Sequence, residues 1–414
     1  MGKQKNLFFK YSILNIDNMM EITKNFEYIN KIANNVRGIN QRCFQYFFDE
    51  LKPPEKALKP DLWLLVADGR SECSLMTPGN EMAYSIDRIR VRNVKDVGMP
   101  GPTISTAAPE LERDYNNINV VIASGGGESS GPLSIAKEIA EYKKNDKGGR
   151  WKIFLTTSKP NSSIAKVVKE NDGIILKLRG ARKKSKEFLK TGIMRDQFEL
   201  GNCFLFHSIG EMIYENAEAE RFPELVEERF PTIGEMIDEQ VESGFYDILL
   251  DDLEKHCNAF CGGKGGGYFV SKMNAIRINH VKRLTGDYAF LIEDTNVPKP
   301  IPGDPLIITS NSGGRDDVYV GGAKKEAAFV VKLAEKYKKK KARIHSVLGS
   351  ENSPVEKLSD NAALLKNEHK PGAPNPFYLH ATYVQSPLPG MLAKRLSDLG
   401  YSVTSEILEW WHSL

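Results

Sequence analysis

The stretch "NVVIASGGGESSGPLSIAKEIAEY", Asn119 to Tyr142, decides how the chain is read. Asn119 to Ala123 is an apolar run of the kind buried in a parallel sheet. It breaks into Ser124-Gly125-Gly126-Gly127-Glu128-Ser129-Ser130-Gly131. From Pro132 to Lys143, Ile135, Ala136, Ile139 and Ala140 then share one helical face. Strand, loop and helix in that order place the loop's amides and hydroxyls beside the positive end of a helix, which suits phosphate. The glycines permit close approach of the backbone. Three readings stand open: a phosphate cradle, a hydrolase nucleophile elbow, or a tight turn. No Gly-Lys-Ser/Thr follows, so this is not a Walker loop, and neither it nor Gly262–Gly267 fits Gly-x-Gly-x-x-Gly. Gly127-Glu128-Ser129-Ser130-Gly131 does fit Gly-x-Ser-x-Gly with Ser129 as nucleophile. An elbow, however, follows its strand almost directly, and here Ser124-Gly125-Gly126 intervene.

Outward from this loop the same plan recurs. Before it stand helical spacing over Met20 to Glu50, the strand "DLWLLVADG", a short helix around Glu81 to Ile86 and the alternating strand "RIRVRN". After it come "WKIFLTTS" (strand), "NSSIAKVVKEN" (helix), "GIILKLRG" (strand) and the amphipathic helix "RDQFELGNCFLFHSIGEMIYENA". The second half repeats the order: a helix over Gln240 to Ala259, "NAFCGGKGGG" as strand and turn, "YFVSKMNAIRINHVKRL" as helix and "YAFLIED" as strand. There follow "DPLIITSNSGGRDDV" as strand and loop, a helix through "AAFVVKLAEKYKKKK", the strand "ARIHSVLGS", a helix in "SPVEKLSDN", the strand "AALLKNE" and a helical close from Phe377. Alternating strands and helices predict an α/β fold with parallel sheets flanked by helices. The signals recur about 190 residues apart, so two copies of one unit are expected, packed about a pseudo-twofold as in a homodimer. The expected divisions are an N-terminal extension over residues 1–19, a first domain over 20–218, a connector over 219–239 with Pro223 and Pro231, and a second domain over 240–414.

Composition bounds the function. With 414 residues, two domains are the expectation, and 41% apolar with 27% charged residues is that of a soluble globular chain. A net charge of +3 gives no case for nucleic acid as the main partner. The lysines of "YKKKKAR" read as a solvated helix end. Cys43, Cys73, Cys203, Cys257 and Cys261 are few and odd in number, which fits a reduced cytoplasmic setting better than a disulfide framework. Cys257 and Cys261 lack a second Cys/His pair at zinc spacing, so no metal site is expected. No secretory h-region, myristoylation pattern or 18-residue apolar run is present, so neither export nor a membrane is expected.

The run "VVIASGGGESSGPLSIAKEIAEY…WKIFLTTSKPNSSIAKVVKENDGIILKLRG" resembles the sugar isomerase (SIS) domain, whose phosphate loop runs Ser-x-Ser-Gly-x-Thr/Ser. Within that superfamily the chain is most similar to the 6-phospho-3-hexuloisomerases, and the resemblance covers both halves. It implies two tandem SIS domains, each a flavodoxin-like sandwich. Ser124 takes the first Ser place, Gly126 the second and Ser129 the last; in the second copy Ser310, Ser312 and Gly313 match, and Arg315 replaces the final Thr, where it would bind phosphate or block the pocket. The Gly-Arg-Ser turn after the family's first strand is Gly69-Arg70-Ser71 here and Gly265-Gly266-Gly267 in the second copy. The family's Arg and His on the following helix are matched by Arg277 and His280, whereas the first copy has Tyr84, Ser85 and Asp87 there, with Pro78 and Gly79 disturbing its helix. The family's Phe-Glu is Phe198-Glu199, and Phe377-Tyr378 takes its place in the second copy.

The resemblance therefore implies isomerisation of a small phosphorylated sugar through a cis-enediol, with one composite site per chain. Glu199 would be the base and His280 a proton shuttle. Gly69, Arg70, Ser71, Ser124, Gly125, Gly126, Gly127, Glu128, Ser129, Arg277, Ser310 and Ser312 would bind substrate or its phosphate. No metal or organic cofactor is implied, and a homodimer is the expected assembly. Two rivals stay open: a non-catalytic sugar-phosphate binder or sensor, and a serine hydrolase using Ser129. Each residue also has a structural reading. Glu199 would form a salt bridge, His280 would be a satisfied partly buried histidine, Arg70 would brace its turn and Ser129 would cap its helix. His207 and His380, on the closing helices, read as structural.

Overall fold

A computed structural model of the chain describes residues 20–97, 104–145, 149–180, 196–317, 323–367, 370 and 372–401. The first half opens with α1 (Glu27–Arg37) and α2 (Gln41–Leu51). It then lays down β1 (Asp61–Val66), α3 (Gly69–Ser85), β2 (Ile89–Asn93), α4 (Val94–Val97), α5 (Ile104–Asp114), β3 (Ile118–Ala123), α6 (Ser130–Asn145), β4 (Trp151–Thr157), α7 (Ser163–Glu170) and β5 (Ile174–Lys177). Helices α8 (Asp196–Glu215), α9 (Arg221–Glu242) and α10 (Phe245–Leu253) lead to the second half. There β6 (Ala259–Gly263), α11 (Gly266–Lys282), β7 (Ala289–Leu291), β8 (Pro305–Ser310), α12 (Ala323–Lys339), β9 (Arg343–Leu348), α13 (Pro354–Leu358) and β10 (Asn361–Leu364) are closed by α14 (Phe377–Gln385) and α15 (Leu388–Asp398).

Each half makes a five-stranded sheet, ordered β2-β1-β3-β4-β5 and β7-β6-β8-β9-β10, with every neighbouring pair parallel. Both follow the 2-1-3-4-5 order of doubly wound flavodoxin-like sheets. The order reverses between β1 and β3, and again between β6 and β8, and such a switch point leaves a crevice at the strand ends. Strand alternation explains the layers. Leu62, Leu64 and Val66 face a core shared with α5, α6 and α7, while Trp63 and Leu65 face the opposite core. In the second sheet Phe260, Leu306, Ile308 and Ile344 pack under α12 and α13. The other faces of both sheets meet in one continuous core with α1, α2, α3, α8, α9, α10, α11, α14 and α15. This shared core fixes one half against the other.

Three local expectations change. Helix α3 runs through Pro78 as one helix, because Gly79 has no Cβ to meet Leu65 Cδ1 (2.8 Å) and Val91 Cγ1 (3.1 Å); close packing on the sheet outweighs the lost hydrogen bond. Helix α8 is buried on every side from Gln197 to Ile213 rather than amphipathic, since it lies inside the shared core. The stretch Gln240 to Ala259 divides at Gly244, in left-handed backbone (φ 74°), into the end of α9 and α10. Helix α5 went unread, Pro109 interrupting its pattern. The acidic connector is mostly α9, whose Phe230 stacks on Phe204 at 4.2 Å in the core. Among the described residues no helix is long and apolar enough to cross a membrane.

Candidate functional site

The first cleft lies where β1 and β3 part. Their registers align Val66 with Ile122, so the turn after β1 and the loop after β3 leave the sheet side by side. They touch where a Cβ on Gly131 would lie 2.5 Å from Asp68 Oδ2. In the turn, Gly69 takes positive φ (55°) and starts α3, so Arg70 and Ser71 stand in its first turn. Ser71 Oγ donates to Glu199 Oε1 at 3.2 Å. Glu199 is largely buried, in the first turn of α8. The turn and the Phe-Glu carboxylate, 128 residues apart in sequence, thus meet.

The serine loop is braced from below. The Gly127 N–H donates to Ser124 Oγ (3.1 Å), and Ser124 Oγ lies 3.3 Å from Ser129 Oγ. Ser129 accepts the Leu133 N–H on its carbonyl, at the start of α6. Gly125 and Gly127 carbonyls accept N–H groups of Ser158 and Ile164. Gly127 has φ 68°, and a Cβ there would overlap Ser162, the N-cap of α7. The Glu128 carboxylate turns outward and accepts the Ser163 N–H (3.0 Å); hydrogen bonding to Ser163 holds it below the usual carboxylate range. Glu128 therefore serves the start of α7. Gly69 and Gly126 have nothing within 4 Å of where a Cβ would stand, and Ser129 is exposed, so the cradle opens to solvent. The hydrogen-bonding neighbour of the Ser129 hydroxyl is a second serine hydroxyl, a poor base for a hydrolase nucleophile.

The second half contributes through α11, which packs along α3. Lys272 Nζ lies 3.5 Å from Glu72 Oε2, beside the turn, and Glu72 also binds Lys95 (2.9 Å) and Asn93 (2.9 Å). Arg277 is 3% exposed, within electrostatic reach of the Cys73 and Cys203 thiols. Cys203 is one turn past Glu199 on the same face of α8. Burial pushes both thiols up to about 12, so neither is a thiolate at neutral pH. His280 is partly buried, one turn beyond Arg277 on α11.

The second cleft repeats the frame with different contents. The Gly313 N–H donates to Ser310 Oγ (3.1 Å), the Gly314 N–H to Ser312 Oγ (3.3 Å) and the Val355 N–H to the Gly313 carbonyl (2.9 Å). Gly313 has φ 56°, against Ser353, the N-cap of α13. Ser310 and Ser312 therefore belong to this cleft at the end of β8, in the other sheet from Ser124. Arg315 pairs with Asp317 (2.6 Å) and donates to the Glu351 carbonyl (3.3 Å). The glycine turn is covered by the protein's own side chains. A Cβ on Gly266 would lie 2.7 Å from the Tyr378 ring and 3.0 Å from Glu81 Oε1, and one on Gly265 would strike Glu326. Glu81 comes from α3 of the first half, as Arg277 comes from α11 of the second. Burial raises Glu81 to about 8 against hydrogen bonds from Asn80 and the Asn375 N–H, and burial raises Glu326 as well. The turn at Gly69 is thus open, while the turn Gly265–Gly266 is covered by a tyrosine ring and two carboxyls.

Two residues escaped the sequence reading. Asn202, fully buried, donates to Ser74 Oγ (3.0 Å) and accepts from Thr156 Oγ1 (2.7 Å), clamping α8 to α3 and β4 one turn from Glu199. Glu81 is the other. Nothing local marks either one, because their partners lie far away in sequence. Among the described residues no three His, Cys, Asp or Glu side chains gather as a metal site.

No protein-family model matches the sequence, and no curated protein matches it. Among solved structures the chain is similar to tagatose-6-phosphate ketose/aldose isomerase from Escherichia coli, with a TM-score of 0.54 and 10% identity over 89% of this chain and 92% of that one. It is similar also to the C-terminal domain of glucosamine-fructose-6-phosphate aminotransferase from Francisella tularensis, with a TM-score of 0.52 and 13% identity over 88% of this chain and 93% of that one. At such identities the likeness is one of fold, and it spans both halves: the chain has the two-sheet α/β fold of the SIS-domain proteins.

Proposed function

We propose that the chain is a sugar-phosphate isomerase, acting on an aldose/ketose or ketose/ketose pair at the β1/β3 cleft. The open loop Ser124–Ser130, at the N-terminus of α6, holds the phosphate. Glu199 takes the proton from the carbon beside the carbonyl, giving a cis-enediol, and returns it to the neighbouring carbon. Ser71 orients the carboxylate. Arg277 offsets the charge that develops on the enediol oxygens, and His280 moves the proton between them. In this reading residues 20–218 and 240–414 are the two units, and the second cleft, filled by Tyr378, Glu81 and Glu326, takes no phosphate. The observation that carries the proposal is the Ser71–Glu199 hydrogen bond beside an open serine loop at a switch point.

The test is proton NMR of the protein with a panel of ketohexose and aldohexose 6-phosphates in deuterated water. The proposal expects one pair to interconvert, with solvent deuterium entering at the carbon that bears hydrogen in one isomer and is the carbonyl in the other. Saturable binding of a phosphosugar with no product from any member would replace the isomerase with a sugar-phosphate sensor.

A further inference from the structure

A cavity of about 310 Å³ opens between α9, the chain leaving β10 and the first turn of α14. Its lining includes none of the turn or loop residues of either cleft. Along α8, which runs behind it, His207 stands two turns from Glu199, roughly 12 Å at the helical rise. The inner wall is His380, 3% exposed, and neither its Nδ1 nor its Nε2 has a hydrogen-bond partner among the described residues. Asn367 Oδ1 and Arg229 Nε, also on the lining, share this lack, as do His207 Nε2 and Glu211 Oε2 in the layer behind. Buried polar atoms rarely go unsatisfied. His380, which reads as structural, is therefore not held by hydrogen bonds among the described residues, whereas His207 Nε2 lies 3.8 Å from Glu211 Oε1.

The charges around the cavity select the ligand. Arg229 Nη2 binds Glu211 Oε1 at 2.5 Å, which takes up the guanidinium charge. At the rim Lys366 faces two exposed carboxylates, Glu235 and Glu239. Cations and anions on the lining balance, with Glu211 behind them, so an anion gains nothing by entering. Burial, with His207 and Arg229 nearby, lowers His380 to about 3, so the ring is neutral and offers one donor and one acceptor. Asn367 Oδ1 wants a donor and Arg229 Nε an acceptor. Hydroxyl groups supply both. We infer that this cavity binds a small uncharged polyhydroxy compound, an unphosphorylated sugar or polyol, at a site separate from the phosphate loop. The inference stands whether or not the isomerase reading does.

The chain has seven histidines, so its ring-nitrogen spectrum is sparse. Full-length protein carrying ¹⁵N-histidine is titrated with sorbitol and, separately, with D-glucose, and long-range ¹⁵N–¹H NMR is paired with calorimetry. With at least one probe, both His380 ring nitrogens shift saturably, with the calorimetric midpoint. His380→Phe weakens that binding about tenfold or more. Thr232→Trp, which narrows the mouth without touching the buried cluster, weakens it likewise with the unfolding midpoint unchanged. Inorganic phosphate over the same range leaves the His380 signals in place. No saturable shift with either probe means ordered water only and overturns the inference, as does undiminished binding in both variants or a matching shift with phosphate.

Discussion

Replacing Gly127 by Ala tests the loop geometry on which the phosphate cradle depends. The new side chain must adopt φ 68°, at a cost of about 1–2 kcal/mol for a non-glycine residue. It also overlaps both Oγ and Cβ of Ser162, so the serine cannot escape by changing rotamer and the start of α7 must move. Moving it weakens the Ser162 cap on the Ala165 N–H, worth about 1 kcal/mol, and strains the Ile164 N–H to Gly127 carbonyl bond. The sum is a loss of about 2–3 kcal/mol. Gly126→Ala is the control one residue away: its φ is not positive and nothing lies within 4 Å of the new Cβ. It should gain about 0.4–1 kcal/mol from a less flexible unfolded chain. Urea unfolding by circular dichroism, extrapolated to water, measures both. Equal effects of the two substitutions would refute the braced-loop geometry. Gly313→Ala, against Ser353, should behave like Gly127→Ala.

Other outcomes follow from the same structure. Asn202→Ala removes two buried hydrogen bonds and leaves Thr156 Oγ1 without its partner, which should cost about 2–4 kcal/mol in urea unfolding. It should also lower kcat more than Ser74→Ala, because α8 carries Glu199. Glu81, raised by burial from 4.5 to about 8, keeps its proton in the folded chain after the unfolded chain has released it. Its contribution to stability is therefore full below pH 4.5 and lost as pH rises through 8. Glu81→Gln should flatten the fall in stability across that window, read from unfolding midpoints at pH 4.5, 6 and 8; an unaltered profile would mean that Glu81 ionises normally.

The order of strands and helices was legible because each element carries its own period, and the serine loops because their spacing is local. Gly313 abuts Ser353 as Gly127 abuts Ser162, each at positive φ. What stayed hidden depends on packing. Pro78 looked like a break until Gly79 brought α3 onto the sheet, and α8 looked amphipathic until the second half covered its other face. The composite site was legible only in part. Ser71 and Glu199 meet, but Ser310 and Ser312 stay at their own strand end, in the other sheet. Tyr378 in the place of Glu199 was visible as a difference, yet that it roofs Gly266 together with Glu81 follows only from how the helices of the two halves cross.

The central claim is that Glu199 moves the carbon-bound proton. The direct measurement is deuterium exchange from solvent into the phosphosugar pair that the wild-type protein interconverts, compared with Glu199→Gln. The glutamine keeps the shape and accepts the Ser71 hydrogen bond but has no basicity, so the account predicts loss of exchange by at least about 10², with phosphosugar affinity within a few-fold of wild type. Exchange at the wild-type rate in Glu199→Gln would contradict it.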